Sequence, residues 1–581
     1  MITTEQQMAF FQRTVDLKYV HEAGALIPYL AIGDRERAEA IMEQSLRHCE
    51  SWRDCTDFRL NILLRAWWLY GDRISGAFKQ RIHDAAVAGR YYGGYRPDYP
   101  MFYSSENHHM NWAVAEYLTA QLFPDEIFTY DGRSSRAHHD RARFLIANWI
   151  NNRASWGYCE WNASDYMGIN LLSLLNLVDF AAEPDIRQLA EDATTRLLAD
   201  VAADSAYGGV WGAQARIYES SLFGAGNQEA GGALILLLGA GDPESLKIGT
   251  LAPSAAATTR YQAPEWLCRL ACDLSTPSVS QERHRNEESL YYDCRSAFWR
   301  PPFELTNEEA RQRFDRFSLP EYPIRTERRA EYLVSALLQP APGKPAEVKG
   351  QAMPWLSCLN GKVPIFANHP RPAGHPKFKA EYWAGTASSP RCHLEDGLLV
   401  ALYHGKDDRG AADFTHAHFP TAALSEWRRA GSWYLGRLDD AYVGLWAPPA
   451  ATLTEQGRWS GREILAPGRT AAWVAVYGSH AQDGDFTAFA RRCEQVQVHF
   501  HPKQAAVEVQ AEGRAPVAIS HAHGVTVGGA SVSCADWPQM ENTFVRGEWG
   551  SPLTRIDTGA GETTLDFTAA REIAKEWERT D

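Results

Sequence analysis

The repeat of apolar residues changes once along this 581-residue chain, and that change constrains the fold more than any other feature. From about residue 5 to 280, apolar residues recur three and four positions apart, which is typical of helices that bury one face. From about residue 324 onward they alternate in short runs bounded by glycine and proline, which is typical of strands. Many strands without long helices between them indicate antiparallel pairing. The predicted fold is α+β and multidomain, with a helical domain followed by an antiparallel β-sandwich.

The same change suggests the domain boundaries. We expect a helical domain over 1–280, a linker region over 281–323 and a β-sandwich domain over 324–581. The linker region is dense in arginine and glutamate, and 306–309 has the pattern of a capping box that begins one short helix. In the β half, the alternation predicts among others a strand over 325–338.

The helices of the first half differ in character. The most apolar ones begin near Ser105, Ser164 and Gly226, at intervals of about 60 residues. More highly charged helices, over 134–152 and 185–203, lie between them. Regular alternation of this kind predicts an α/α toroid of helical hairpins, with apolar helices inside and charged helices outside. The starts of the inner helices would then surround one cleft.

Charge and cysteine usage narrow the class of function. The net charge of −14 argues against a nucleic-acid partner, although a local basic pocket could still bind a small anionic substrate. The N-terminus has no secretory signal pattern, and no apolar run is long enough to span a membrane. Ten cysteines without a CxxC motif indicate reduced thiols, so we expect a cytoplasmic protein of unknown oligomeric state.

The first candidate site is the helix start that follows Ser105. Four hydrogen-bonding side chains stand in sequence there: Glu106, Asn107, His108 and His109. Ser105 is a plausible N-cap whose hydroxyl accepts a backbone N–H of the first turn. Such a polar cluster is either a capped, solvated helix start or part of a binding site, because burying it without partners is costly.

Two further polar stretches precede the next inner helices. Glu160, Asn162 and Tyr166 lie around the second start, where the helix dipole favours developing negative charge. Arg216 and Tyr218 precede the third start. Each stretch has a simpler reading, namely capping by Ser164, a packed tyrosine, or a surface arginine.

The β half contributes one more candidate. In the stretch that contains His416 and His418, alternation puts both imidazoles on one face of a strand. Two histidines alone are a weak metal signal, so a polar rim of the cleft is the preferred interpretation and a structural divalent metal is the alternative.

These residues together resemble a known family. The Glu106–Asn107–His108 start, Tyr166 at the next inner helix and the His-x-His element are similar to the heparinase II/III-like and oligoalginate-lyase group of polysaccharide lyases. That resemblance implies an α/α toroid with a β-sandwich, an acidic oligo- or polysaccharide substrate, and no redox cofactor.

The resemblance also implies a reaction, β-elimination at a uronic acid. Asn107 and Arg216 would bind the sugar carboxylate and stabilise the enolate-like transition state. Tyr166 would be the acid, and also the base if the geometry is syn. If the geometry is anti, His108 or a β-domain histidine, His416 or His418, would be the base. The other candidates would line the substrate site: Glu106, His109, Glu160, Trp161, Asn162, Tyr218 and His418.

Two alternatives from other classes stay open. An α/α-toroid glycoside hydrolase would use a carboxylate pair drawn from Glu160, Asp165 and Glu106. A glycan-binding protein without activity would keep the cleft and lack turnover.

Overall fold

A computed structural model describes residues 3–16, 22–91, 105–246, 250–285, 321–338, 351–371, 381–405 and 411–580. Among these residues, sixteen α-helices occur. In chain order they are α1 Thr4–Asp16, α2 Leu26–Ile32, α3 Arg35–Glu50, α4 Thr56–Tyr70, α5 Gly76–Val87, α6 Glu106–Leu122, α7 Ser135–Trp156, α8 Tyr166–Phe180, α9 Pro184–Ala203, α10 Glu219–Leu222, α11 Glu229–Ala233, α12 Leu251–Ala256, α13 Glu265–Cys272, α14 His480–Asp483, α15 Phe486–Gln495 and α16 Thr568–Thr580.

The helices of the first half form two concentric layers. In the inner layer, α2, α4, α6, α8 and then α11 with α12 each pack against the next. The ring closes where α12 returns to the turn before α2, and the Ser254 hydroxyl donates to the Gly24 carbonyl at 2.7 Å. Helices α3, α5, α7 and α9 pack outside. The predicted inner and outer alternation is confirmed, since α6 and α8 are buried along almost their whole length.

The described strands are short and all pair antiparallel. They are β1 Ser205–Ala206, β2 Gly209–Val210, β3 Ser278–Arg285, β4 Glu321–Arg328, β5 Tyr332–Leu337, β6 Trp355–Leu359, β7 Val363–Asn368, β8 Arg391–Glu395, β9 Leu398–His404, β10 Phe414–His418, β11 Glu426–Ala430, β12 Trp433–Leu438, β13 Ala441–Trp446, β14 Thr452–Leu453, β15 Glu463–Pro467, β16 Thr470–Ser479, β17 Gln497–His501, β18 Ala506–Gln510, β19 Val517–Ser520, β20 Gly524–Val527, β21 Ala530–Ser531, β22 Met540–Glu541, β23 Val545–Gly547, β24 Leu553–Asp557 and β25 Glu562–Asp566.

Three of the sheets stack on one another. A twelve-stranded sheet has the order β14-β15-β10-β7-β6-β5-β4-β3-β22-β23-β24-β25, a six-stranded one β11-β12-β13-β16-β9-β8, and a five-stranded one β17-β18-β19-β20-β21. The six-stranded sheet is the middle layer, and its strand β9 shows this because its two faces belong to different cores. Leu399, Ala401 and Tyr403 belong to the core shared with the large sheet, while Leu398, Val400 and Leu402 belong to the core shared with the small one. A strand buried on both faces reads as a continuous apolar run.

Several local predictions differ from the structure. The strand predicted over 325–338 is two strands, because β4 ends at Arg328 and the chain turns before β5. The helix predicted from Gly226 is a 3₁₀ turn, α11 and a π-helical turn in succession. The capping box at 306–309 lies outside the described residues.

The helical half and the β half are not cleanly separated along the chain. Strand β3 begins at Ser278, soon after α13, and lies inside the large sheet between β4 and β22. The last helix, α16, returns to pack on α7, and its Arg571 donates to Asn151 and Ser155 at 3.0 and 2.9 Å. The domain division at 280 and 324 therefore stays a prediction about folding units.

The expectations of reduced thiols and of no membrane-spanning helix can be compared with the described residues. The nine cysteines that the structure describes are free thiols. None of the described helices combines the length and apolar character needed to cross a membrane.

Gly157 tests the contact between α7 and β3. It adopts φ 71° and ψ −158°, a conformation nearly restricted to glycine, and a Cβ there would collide with the His284 ring. We expect Gly157→Ala to lower the free energy of unfolding by about 3 kcal/mol or more in urea titrations. Gly132→Ala is the control, since Gly132 also has positive φ (75°) but open space around it. An equal loss in both variants would contradict a packing role for Gly157.

Candidate functional site

A carboxylate from the neighbouring loop caps the first turn of α6. The Ser105 hydroxyl makes no capping hydrogen bond, so the predicted cap is wrong. Instead, the Asn107 backbone N–H donates to Glu160 Oε2 at 3.2 Å, and the Asn107 side-chain amide donates to the same oxygen. Both residues are buried. A negative charge at this position is stabilised by the helix dipole and by the N–H groups that lack helical partners.

Arg216 supplies the positive charge that compensates the buried Glu160 carboxylate. Its Nη1 donates to Glu160 Oε1 at 2.5 Å, and its Nε donates to Gln351 Oε1 at 3.3 Å. Glu160 and Arg216 are only 1% and 3% exposed, so each charge depends on the other for compensation. Asn107 and Arg216 therefore converge as the sequence suggested, but on a carboxylate of the protein itself.

Tyr166 lies on the other side of Arg216, at the start of α8. The Arg216 Nη2 donates to the Tyr166 hydroxyl at 2.8 Å, and the guanidinium carbon lies 3.9 Å from the centre of the tyrosine ring. The Tyr166 and Tyr218 hydroxyls are 2.6 Å apart, and both rings are half-buried. Burial raises the pKa of Tyr166 above its ordinary value, and the neighbouring guanidinium opposes that rise. The group is thus a protonated hydroxyl at rest, with a cation beside it.

The other members of the α6 quartet, the polar residues 106–109, have different principal partners. Glu106 pairs with Arg153 and accepts the Cys159 backbone N–H at 2.7 Å. His108 Nδ1 lies 2.8 Å from Asp57 Oδ2. Burial and Arg153 lower the pKa of His109 to about 3, which keeps that imidazole neutral. The predicted roles of Glu106, His108 and His109 toward a substrate stay predictions.

Trp161 and Asn162 lie in the junction between the halves. Trp161 is fully buried, with its ring centre 5.5 Å from that of Tyr322. Asn162 has φ 49° and donates to Asp204 at 2.9 Å and to Glu282 at 3.1 Å. Burial raises the pKa of Glu282 to about 7. Packing accounts for the position of Trp161, and hydrogen bonding accounts for that of Asn162. Their contact with a substrate stays a prediction.

The two β-domain histidines are side by side but differently held. His416 Nδ1 lies 2.8 Å from Glu463 Oε1, and its ring stacks on Trp383 at 4.0 Å. His418 Nδ1 lies 2.7 Å from the Pro364 carbonyl oxygen. Burial lowers the pKa of both imidazoles, to about 4 for His418.

A short path links these histidines to the tyrosine pair. The Trp383 backbone N–H donates to Glu219 Oε1 at 2.9 Å, and Glu219 directly follows Tyr218. The β-domain thus contacts the helical half beside Tyr218. Sequence reasoning did not find Trp383, Glu219, Glu463 or Gln351, because each is joined to its partner across more than a hundred residues or between two strands, without a local motif.

Removing the cation of the buried pair tests its energetic role. We expect Arg216→Met to lower the free energy of unfolding by about 3–5 kcal/mol, because Glu160 is left charged and buried. Adding Glu160→Gln should restore part of that loss. Arg136→Met, on the exposed pair with Asp140, is the control and should cost about 0.5 kcal/mol or less. Urea unfolding measures all four proteins, and an Arg216→Met loss as small as that of the control would refute the assignment.

His418 tests the effect of burying a neutral imidazole. Its folded pKa of about 4 lies below the ordinary 6.5, so the unfolded state binds the proton more readily. The resulting stability is present above pH 6.5 and is lost as pH falls toward 4, by about 3 kcal/mol. Relative to His418→Gln, the wild type should lose stability in that window. His523→Gln, at an exposed histidine, is the reference; a parallel pH curve for His418→Gln and wild type would be the contrary result.

Comparisons with known proteins add little to this geometry. No family model matches the chain, and no curated protein does. Among solved structures, the chain is similar to a crystal structure of heparinase III, with 11% identity and a TM-score of 0.39 over 85% of this chain and 82% of that chain.

Proposed function

We propose that the chain is a polysaccharide lyase that cleaves a uronic-acid-containing glycan by β-elimination. The observation that supports this most is the Tyr166 hydroxyl, which accepts a hydrogen bond from Arg216 and contacts the Tyr218 hydroxyl. A tyrosine beside a fixed cation can both give and accept a proton, since the cation stabilises the tyrosinate. A tyrosine with only a packing role would not need an arginine that donates to its hydroxyl.

The proton transfers follow from this arrangement. Tyr166, as tyrosinate, removes the proton at C5 of the uronate while Arg216 lies against its oxygen. The electron pair from the broken C–H bond forms the new C4–C5 double bond, and the C4–O bond breaks. The leaving oxygen then takes a proton from Tyr166 or from Tyr218. Because burial raises the pKa of Tyr166, the resting hydroxyl is protonated, and substrate binding must favour its ionisation.

The substrate carboxylate needs a hydrogen-bond donor as charge develops on it. Asn107 is the candidate. Its backbone N–H holds Glu160, so its side-chain amide can turn from Glu160 to the sugar while the helix cap remains. Glu160 then keeps Arg216 oriented toward Tyr166. The role proposed for Glu160 is therefore positioning, in place of direct substrate contact.

The hydrolase alternative has less support from the geometry. Glu106 and Glu160 each form an ion pair with a buried arginine, and Asp165 accepts the Ser221 hydroxyl at 2.7 Å. A hydrolase needs one carboxyl group protonated and another as a free base or nucleophile. Carboxylates held in ion pairs are poor acids, because the neighbouring cation favours the ionised form.

A glycan panel with a matched set of tyrosine variants tests the proposal. We expect unsaturated, ultraviolet-absorbing product from at least one of alginate, glucuronan, glycosaminoglycan or pectic substrates. Tyr166→Phe should lower kcat by about 10³-fold or more, within the range of lost acid–base catalysis. Tyr207→Phe, at an exposed tyrosine, is the control and should retain full activity. Activity on none of the substrates, or a reducing-sugar signal without the chromophore, would overturn the proposal.

A further inference from the structure

A group of side chains suited to a metal ion lies where α4 begins, apart from the tyrosine pair. Asp54, Cys55 and His108 each offer one ligand atom, and these atoms lie within 4.8 Å of one another. Within the described parts of the chain, no other group of three His, Cys, Asp or Glu residues has this property. We propose that Asp54, Cys55 and His108 bind a zinc ion.

The environment of His108 is that of a metal-binding histidine. Its Nδ1 lies 2.8 Å from Asp57 Oδ2, and the Asp57 side chain is fully buried. The Phe58 ring stacks on the imidazole, with ring centres 4.9 Å apart and planes 9° apart. A carboxylate at Asp57 can accept the proton of Nδ1, which leaves Nε2, 4.0 Å from Asp54 Oδ1, as the atom that would bind the metal. A carboxylate behind the imidazole orients zinc-binding histidines in the same way.

The donor set favours zinc over other divalent cations. A thiolate and an imidazole are ligands for Zn²⁺, whereas Ca²⁺ and Mg²⁺ prefer oxygen ligands alone. The Asp54 carboxylate and Cys55 thiolate together balance the charge of the ion. Ligand atoms around tetrahedral zinc are about 3.3–3.8 Å apart, given bonds of about 2.0–2.3 Å. On zinc binding, the ligand atoms must therefore approach one another by about 1 Å. Rotation of the Asp54 side chain allows this approach, because that side chain is 44% exposed.

With these three ligands from the described part of the chain, a tetrahedral zinc ion has a fourth position for a further ligand. This inference does not rest on the proposed lyase activity, since Tyr166, Arg216 and Tyr218 take no part in it. It assigns His108 to a metal in place of the base role that the family resemblance suggested. The competing explanation is an ion pair only, in which a protonated His108 lies between Asp57 and Asp54 without any metal.

Zinc binding to the reduced, full-length protein tests the site. We expect one zinc per chain in competition with a chromophoric chelator. Cys55→Ser and His108→Gln should each weaken binding at least 100-fold. Asp57→Asn removes no ligand and should weaken it about 10- to 100-fold. Cys272→Ser, at an exposed thiol, is the matched control and should bind as the wild type does.

Cobalt substitution separates the two explanations even where a variant fails to fold. Co²⁺ bound to the wild type should give a thiolate-to-metal charge-transfer band in the near ultraviolet, and the band should persist in Cys272→Ser. Absence of stoichiometric zinc binding, or a cobalt spectrum of the wild type without the thiolate band, would overturn the proposal and leave the ion pair only.

Discussion

The buried pair of Glu160 and Arg216 is the interaction on which the candidate site depends. Two charges that are almost fully removed from water persist only when each is compensated and hydrogen-bonded. Glu160 meets this condition through the first turn of α6, and Arg216 meets it through Gln351 and Tyr166. One ion pair thereby fixes the relative positions of α6, the start of α8 and a loop of the β half.

A second set of buried charges joins the helical and β halves. Asp204 follows α9, while Glu282 and His284 lie on β3. The Asn162 side-chain amide donates to Asp204 and to Glu282. Burial raises the pKa of Asp204, and the nearby charge of Glu282 adds to that rise. Two carboxyl groups at close range disfavour each other's ionisation, and this repulsion adds to the effect of burial at the junction. The toroid and the large sheet thus share a polar core.

The sequence predicts the architecture better than it predicts the contacts. Periodicity identifies α6 and α8 as inner helices because their apolar character extends around the whole helix, and it identifies the β half by alternation. It fails at 325–338, where the buried end of β4 and the fully buried β5 read as one run. It also cannot show that Glu160 caps α6 or that Glu463 faces His416, because these partners are 53 and 47 residues apart. A single sequence carries no signal for such pairing.

The α6 quartet shows most clearly why residue type alone did not define the site. Successive residues of a helix point about 100° apart, so four consecutive side chains cannot line one wall of a cleft. Three of the four side chains have different partners: Glu106 contacts Arg153, Asn107 contacts Glu160 and His108 contacts Asp57. The His109 imidazole is buried and neutral, because burial lowers its pKa. Asn107 shares the Glu160 carboxylate with Arg216, which in turn contacts Tyr166. The division of roles that we propose, Asn107 with the tyrosine pair and His108 with a metal, follows from that geometry.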